Sequence, residues 1–194
     1  MDLLPMAFSS GWASGVNSYL VVLVLGLVGR VSGTEEIPEV LTRTDVLVVA
    51  AVMYAWEFVA DKIPYVDSTW DAISTAIRPT VGAVIGVLLA GDVDTLDQAI
   101  YGVVGGGSAL ASHLVKAGTR LAINTSPEPV TNGIASVAED VTVLGVVSLA
   151  IYHPWIALGI ASTLLVVGIV VLFFAFKLVR RGWRRWKGRS ATAH

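Results

Sequence analysis

The chain has 194 residues, of which 55% are hydrophobic and 14% charged, with a formal net charge of −2 and a mean hydropathy of +0.73. A soluble domain of this size carries about a quarter charged residues, so the composition excludes a single soluble core and points to a bilayer. With no cysteine, disulfides, thiol catalysis and cysteine metal sites are excluded as well.

Six apolar segments approach the roughly 20 residues that cross a hydrocarbon layer as helix. The first runs from Met6 to Val28 and is interrupted in its first half by Ser9-Ser10-Gly11 through Asn17-Ser18. Met1-Asp2-Leu3-Leu4-Pro5 offers no basic region ahead of it and no small-residue cleavage site follows, which predicts a retained helix rather than a signal peptide. The second span is Asp45 to Ile63. The third, Trp70 to Ala90, contains Pro79; a start after the proline leaves about ten residues, too few to cross, so a capping box at Ser68-Thr69-Trp70-Asp71 and a kink at Pro79 are predicted. The fourth, Leu96 to Ala122, is interrupted from Gly102 through Ser108. Gly133 to Tyr152 and Trp155 to Leu178 complete the set.

The expected fold is an all-α membrane protein of six transmembrane helices. Interruptions in corresponding segments of two halves point to a solute path built from an internal repeat. Residues 1–90 and 91–179 then form two inverted three-helix repeats, followed by a basic cytoplasmic tail, 180–194. Weak echoes support the repeat: Leu25-Gly26-Leu27-Val28-Gly29-Arg30 against Val115-Lys116-Ala117-Gly118-Thr119-Arg120, and Arg78-Pro79 against His153-Pro154. Six similar helices drawn from a few apolar letters give the same impression without a repeat.

Cytoplasmic loops and tails collect Lys and Arg. The tail residues Lys177, Arg180, Arg181, Arg184, Arg185, Lys187 and Arg189 therefore put the C-terminus in the cytoplasm of a cell inner membrane, and an even span count returns the N-terminus there. The loop with Asp92, Asp94 and Asp97 and the Glu35-Glu36-Ile37-Pro38-Glu39 connection fall outside. Trp183 and Trp186 among the tail arginines read as an anchor on anionic membrane lipids, and no nucleic-acid partner is expected.

Ionisable groups inside spans cost a few kcal/mol each, so they face a protein interior or water and pair. Glu57 and Asp61 lie four apart on one helix face, with Lys62 adjacent. Arg78 stands roughly 11 Å into the third span. His113, Lys116 and Arg120 form one basic stripe on the fourth, and Glu139 and Asp140 lie roughly 10 Å into the fifth. Four acids face four permanent cations and one histidine, a balance that favours a paired network around a cavity over a bare charged pore. Two readings stay open. In one, the acids carry a proton or cation while Arg78, Lys116 and Arg120 hold an anionic group or tune the acids. In the other, Lys116 and Arg120 snorkel to headgroups and the acids pin helix register.

Gly11/Gly15 and Gly102/Gly106 are small-xxx-small pairs, read either as a close contact of the first and fourth helices, with Asn17 bonding between helices, or as sites where those helices unwind and expose backbone to a solute. His113 alone is too little for a metal site, and the run Gly102 to Gly107 lacks the Lys-Ser/Thr of a phosphate loop, so neither metal nor cofactor is expected.

Asp61-Lys62-Ile63-Pro64-Tyr65-Val66-Asp67, Trp70-Asp71, Ile77-Arg78-Pro79 and Gly82-Ala83 in the first half are matched by a second set: His113, Lys116-Ala117-Gly118-Thr119-Arg120, Asn124, Ser126-Pro127-Glu128-Pro129, Asn132 and Glu139-Asp140. Together they resemble a family of bacterial integral-membrane proteins catalogued only as a domain of unknown function, over nearly the whole chain. The resemblance implies a membrane location and no activity.

The leading expectation is a small inner-membrane transporter or channel-like carrier for a small polar or ionic solute. Asn17, Glu57, Asp61, Lys62, Arg78, His113, Lys116, Arg120, Asn124, Glu139 and Asp140 would serve binding or coupling. The alternative is a non-transporting membrane protein that binds lipid headgroups or a partner complex. An intramembrane enzyme is third, because Ser108 and His113, five apart, only weakly suggest a nucleophile and base. Six helices often need a second copy to enclose a path, so a homodimer is possible.

Overall fold

The computed structural model describes residues 3–34, 36–124 and 129–191, with the side chains of Pro64, Asn124, Pro129, Val179 and 181–191 outside that description. Among the described residues the fold is entirely helical: α1 (Leu3–Ser32), α2 (Glu39–Thr42), α3 (Thr44–Ala60), α4 (Pro64–Ala90), α5 (Thr95–Asn124), α6 (Pro129–Tyr152) and α7 (Pro154–Ala191). Four of these are long and apolar enough to cross a membrane, over Leu3–Ser32, Tyr65–Ala90, Val130–Tyr152 and Pro154–Leu178. The 17 residues of α3 span about 26 Å, short of a core about 30 Å thick. The 30 residues of α5 are long enough, but glycines, serines and the His113/Lys116/Arg120 stripe dilute their apolar character.

Helix α1 is the hub, buried along most of its length, with α3, α4, α5, α6 and α7 all packed on it. Its second half supplies Leu20, Val21 and Leu25 to the core, against Val143, Val146, Val147 and Ala150 of α6, Ala157 and Ala161 of α7, and Ile85 and Leu89 of α4. The largest helix contact is between α4 and α5.

Small residues set these approaches, as backbones close on each other only where no side chain intervenes. A Cβ at Gly11 would strike the Gly105 carbonyl oxygen, and one at Gly15 the Ala109 carbonyl oxygen. On its other side α5 meets α4: a Cβ at Gly82 would lie 2.6 Å from the Ala109 Cβ and 2.8 Å from the Gly105 carbonyl oxygen. The α1–α5 seam therefore pairs Gly11 and Gly15 with Gly105, Ser108, Ala109 and Ser112. Gly102 and Gly106 instead face Ala83, Val87 and Pro79 of α4, and α5 remains helical from Gly102 through Ser108.

Several boundaries differ from the sequence reading, two of them for a clear local reason. Helix α4 starts at Pro64, with Ile63 extended before it, and not at the Ser68–Asp71 box. Proline suits the first helical position because its missing N–H has no partner there in any case. Helix α5 starts one residue early because Asp94 Oδ1 accepts from the Leu96 and Asp97 amides at 2.9 and 3.0 Å.

Candidate functional site

Helix α1 breaks at Asn17, whose φ of −152° and ψ of 95° are extended. An extended residue inside a helix strands carbonyls before it and amides after it, and here both sets find partners. The Ser14 carbonyl oxygen accepts from Ser18 Oγ at 2.8 Å, that of Gly15 from Arg78 Nη1 at 3.3 Å, and that of Val16 from Lys116 Nζ at 3.0 Å, while Ser112 Oγ donates to the Trp12 carbonyl oxygen one turn earlier at 2.6 Å. Beyond the break, Asn17 Oδ1 accepts from the Leu20 amide at 3.0 Å, which makes Asn17 the N-cap of the second half. Its Nδ2 donates to Asp140 Oδ1 at 3.0 Å, and the Tyr54 hydroxyl donates to Asp140 Oδ2 at 3.1 Å. The carbonyl end of the first half thus meets two cations and the amide end of the second meets a carboxylate, the arrangement helix dipoles favour.

Around this break four stripes converge. Helix α4 lines up Asp67, Asp71, Ser74 and Arg78 at spacings of four, three and four, on one face. Helix α5 brings His113, Lys116 and Arg120; the end of α3 brings Glu57 and Asp61; α6 brings Asn132, Ser136, Glu139 and Asp140. Arg78 Nη2 donates to Glu57 Oε1 at 2.5 Å, and its Nη1 lies 3.2 Å from Asp71 Oδ1. Lys116 Nζ meets Asp61 Oδ2 at 2.9 Å, Glu139 Oε2 at 3.4 Å and Glu57 Oε1 at 3.6 Å. Arg120 forks onto Glu139, Nε to Oε1 at 3.0 Å and Nη2 to Oε2 at 2.7 Å. Its Nη1 donates to the Asp61 and Asn132 carbonyl oxygens at 3.0 and 3.3 Å, so it closes the end of α3 against α6.

His113 links the network to α4. Arg78 has only donors, so the contact of its Nη1 with His113 Nδ1 at 2.9 Å makes that nitrogen an acceptor. The ring proton then sits on Nε2 and donates to Thr75 Oγ1 at 3.0 Å, a neutral tautomer fixed from both sides.

Of the residues singled out from the sequence, the structure gathers Asn17, Glu57, Asp61, Arg78, His113, Lys116, Arg120, Glu139 and Asp140. Arg78 and Arg120 are each 1% exposed, so neither reaches headgroups by snorkelling. Lys62 turns away: its Nζ donates to the Phe58 carbonyl oxygen at 2.7 Å and stands 3.0 Å over the Phe58 ring. The Asn124 side chain lies outside the described residues. Ser108 Oγ donates toward α1, to the Phe8 carbonyl oxygen, while His113 is held by α4, so the two do not pair.

Asp67, Asp71 and Asn132 entered the sequence reading as residues of the family resemblance and not as site candidates, and Tyr54 and Ser112 did not enter it at all. Asp71 was hidden in the expected capping box; the four-residue step from Asp67 to Asp71, in phase with Arg78, was the available signal. The balance of four acids and four cations changes accordingly. Among the described residues, six carboxylates (Glu57, Asp61, Asp67, Asp71, Glu139, Asp140) surround three buried cations.

A cleft of about 260 Å³ opens beside the cluster between α1, α5, α6 and α7, bounded by Trp12, Val16, Ser112, Thr142 and Leu164, with Lys116 and Glu139 at its polar end. It stops short of Asn17 and Arg78. Glu139 is the most accessible ion-paired acid of the cluster, its side chain 23% exposed. Among the described residues no three His, Asp or Glu side chains are arranged to hold a metal ion.

A family model described as a domain of unknown function (DUF4126) matches residues 4–173. No curated protein and no solved structure matches the chain.

Proposed function

The chain belongs to the DUF4126 family, and from that premise we propose that it is a small inner-membrane carrier for a small polar or ionic solute, working through the buried charged cluster. The observation that carries this reading is the break of α1 at Asn17, with its freed carbonyls held by Arg78 and Lys116 and its cap on Asp140. Irregular backbone at membrane depth is tolerated where it is buried in protein or lines a cavity, and discontinuous helices recur where transporters bind solutes; here Asn17 is buried, and Trp12 and Val16 just before it line the cleft. The cleft beside it ends on Lys116 and Glu139, two opposite charges able to meet a solute carrying either sign.

In this reading α3 and α5 are also spans, giving six. The outer face of α3, with Val48, Val49, Val52 and Val59, is exposed as a lipid-facing surface is. Both termini are cytoplasmic, which places Asp61, Asp67 and Arg120 toward the inner side. The mutual small-residue contact of α1 and α5 supports an inverted pair of three-helix repeats, although α4 packs on α5 far more extensively than α7 packs on α1.

The test is charge displacement by the purified full chain in sealed vesicles on a solid support, stepped through sodium, potassium, ammonium, chloride, phosphate, simple amino acids and short carboxylates. At least one solute should give a transient current that Glu139→Gln and Lys116→Ala abolish. Silence toward all of them, with flotation on anionic vesicles that depends on the tail arginines, would establish the alternative of a lipid-binding, non-transporting protein.

A further inference from the structure

Arg78 is the point where the cluster is short of positive charge. Its Nη2 is committed to Glu57 Oε1, and its Nη1 is divided between His113 Nδ1 at 2.9 Å and the Gly15 carbonyl oxygen at 3.3 Å. Asp71 Oδ1 stands 3.2 Å from that same Nη1 without hydrogen-bond geometry. Asp71 is 4% exposed, and among the described residues neither of its carboxylate oxygens has a hydrogen-bond partner; Glu57 Oε2 lacks one as well. Two carboxylates therefore hang on one guanidinium that already serves a histidine and a main-chain carbonyl.

Among the described residues the wider surroundings do not supply the missing charge. Asp71 is faced by Arg78 from its own helix, by Lys116 from α5, by Asp61 beyond α3 and by Glu139 from α6, with His113 held neutral by Arg78. Lys116 is already shared among Asp61, Glu139 and Glu57. Leaving Asp67 aside, the five carboxylates Glu57, Asp61, Asp71, Glu139 and Asp140 against Arg78, Lys116 and Arg120 leave two negative charges in excess among the described residues, and counting the peripheral Lys62 still leaves one. Buried uncompensated charge is among the costliest features an interior can hold, and two carboxylates sharing a site relieve it by keeping a proton. A metal cation is the poorer answer, since the donors are not arranged as a metal shell among the described residues.

We propose that Asp71 holds an exchangeable proton at neutral pH, making the Asp71–Arg78–Glu57 group a proton-binding site inside the bundle. Uptake converts the Asp71 carboxylate to a carboxylic acid, which can donate its proton to an oxygen. Loss returns a carboxylate that competes with Glu57 and with the Gly15 carbonyl oxygen for Arg78. That competition reaches the break in α1, because Gly15 lies two residues before Asn17. The functional meaning of the proton rests on the carrier reading above; its existence does not.

Infrared spectroscopy of the full chain in detergent tests this without any flux. Exposed carboxylates have pKa values near about 4 and are ionised at neutrality, so a C=O stretch of protonated carboxylic acid at pH 7 reports a buried acid. The wild type should show this band. It should shift in deuterium oxide, shift again with aspartate carrying 13C at its side-chain carboxyl, and stay unchanged when choline chloride is replaced by sodium chloride. Asp71→Asn should remove it. Should that variant fail to fold, Asp71→Glu in the 13C-aspartate background should return the band to its unlabelled position. No band in the wild type, a band indifferent to the aspartate label, one that survives in folded Asp71→Asn, or one that sodium abolishes would each overturn the proposal. A missing band leaves solute currents to decide the carrier reading, and missing currents leave the proton measured.

Discussion

The Asn17 amide donates to the Asp140 carboxylate across 3.0 Å, joining the break in α1 to a point eleven residues, about 16 Å, into α6. One side chain thereby does two jobs, since the Asn17 oxygen also caps the second half of α1 on the Leu20 amide. Asn17→Ala removes a cap and a hydrogen bond to a charged group, and should lower stability in detergent by about 2 kcal/mol or more. Asn17→Asp keeps the cap but sets a second carboxylate against Asp140. It should therefore be less stable than the wild type at neutral pH and recover as pH falls and one of the two carboxylates takes up a proton. Thermal midpoints across pH 5 to 8 distinguish the two: a loss independent of pH in Asn17→Asp would show that Asp140 is not its partner.

Close packing at the α1, α4 and α5 seams is measurable through glycines that differ only in their surroundings. Gly82→Ala must push a methyl group into Ala109 and the Gly105 carbonyl oxygen, neither of which can swing aside, and should cost about 1–3 kcal/mol. Gly107 meets nothing within 4 Å, so Gly107→Ala should be neutral or stabilising by up to about 1 kcal/mol through helix propensity alone. Equal losses in the two variants would mean that the seam is looser than described.

How much of this was legible in the sequence follows from which signals are local. The cost of burying Glu57, Arg78, Lys116, Arg120 and Glu139 is written in the identity of each residue, so these stood out and they do meet. Asp71 did not, because the extent of a helix is set partly by what it packs against. A start at Pro64 puts Asp67 and Asp71 on the Arg78 face, while a start at Ser68 makes Asp71 a capping residue. Lys62 differs for a related reason: adjacency to Asp61 says nothing about direction, and its ammonium rests on the Phe58 ring and carbonyl rather than on a carboxylate. The glycine pairs read either as a contact of the first and fourth helices or as sites of unwinding, and periodicity does not say which neighbour each face meets. Gly102 and Gly106 serve α4 while Gly105 serves both α4 and α1. That α1 would break at Asn17 and nowhere else in its Gly/Ser-rich half depends on Asp140 and Lys116, more than 95 residues away in sequence.

Arg120 and Glu139 should be strongly coupled. Arg120 is 1% exposed and also holds the Asp61 and Asn132 carbonyl oxygens, so Arg120→Met strands acceptors as well as a carboxylate and should cost about 3–5 kcal/mol. Glu139, partly open to the cleft, leaves Arg120 with Asp61 and Asp67 still nearby, so Glu139→Gln should cost less. A double-mutant cycle on unfolding free energies should give a coupling of about 0.5–3 kcal/mol. Strict additivity would reduce the fork to a geometric coincidence.

The cleft between α1, α5, α6 and α7 permits a test that spares the charged residues altogether. Ala138 lines it and is itself exposed, so Ala138→Trp can place an indole in the opening without disturbing the core. Val141, one turn further along α6 and 63% exposed, does not line this cleft, so Val141→Trp adds the same bulk elsewhere. Both variants should keep thermal midpoints within a few degrees of the wild type. Any solute-evoked current should disappear in Ala138→Trp and persist in Val141→Trp. A current that survives the plug would place the solute route on another side of Lys116, and loss in both would trace the effect to bulk at the exposed surface of α6 rather than to the cleft.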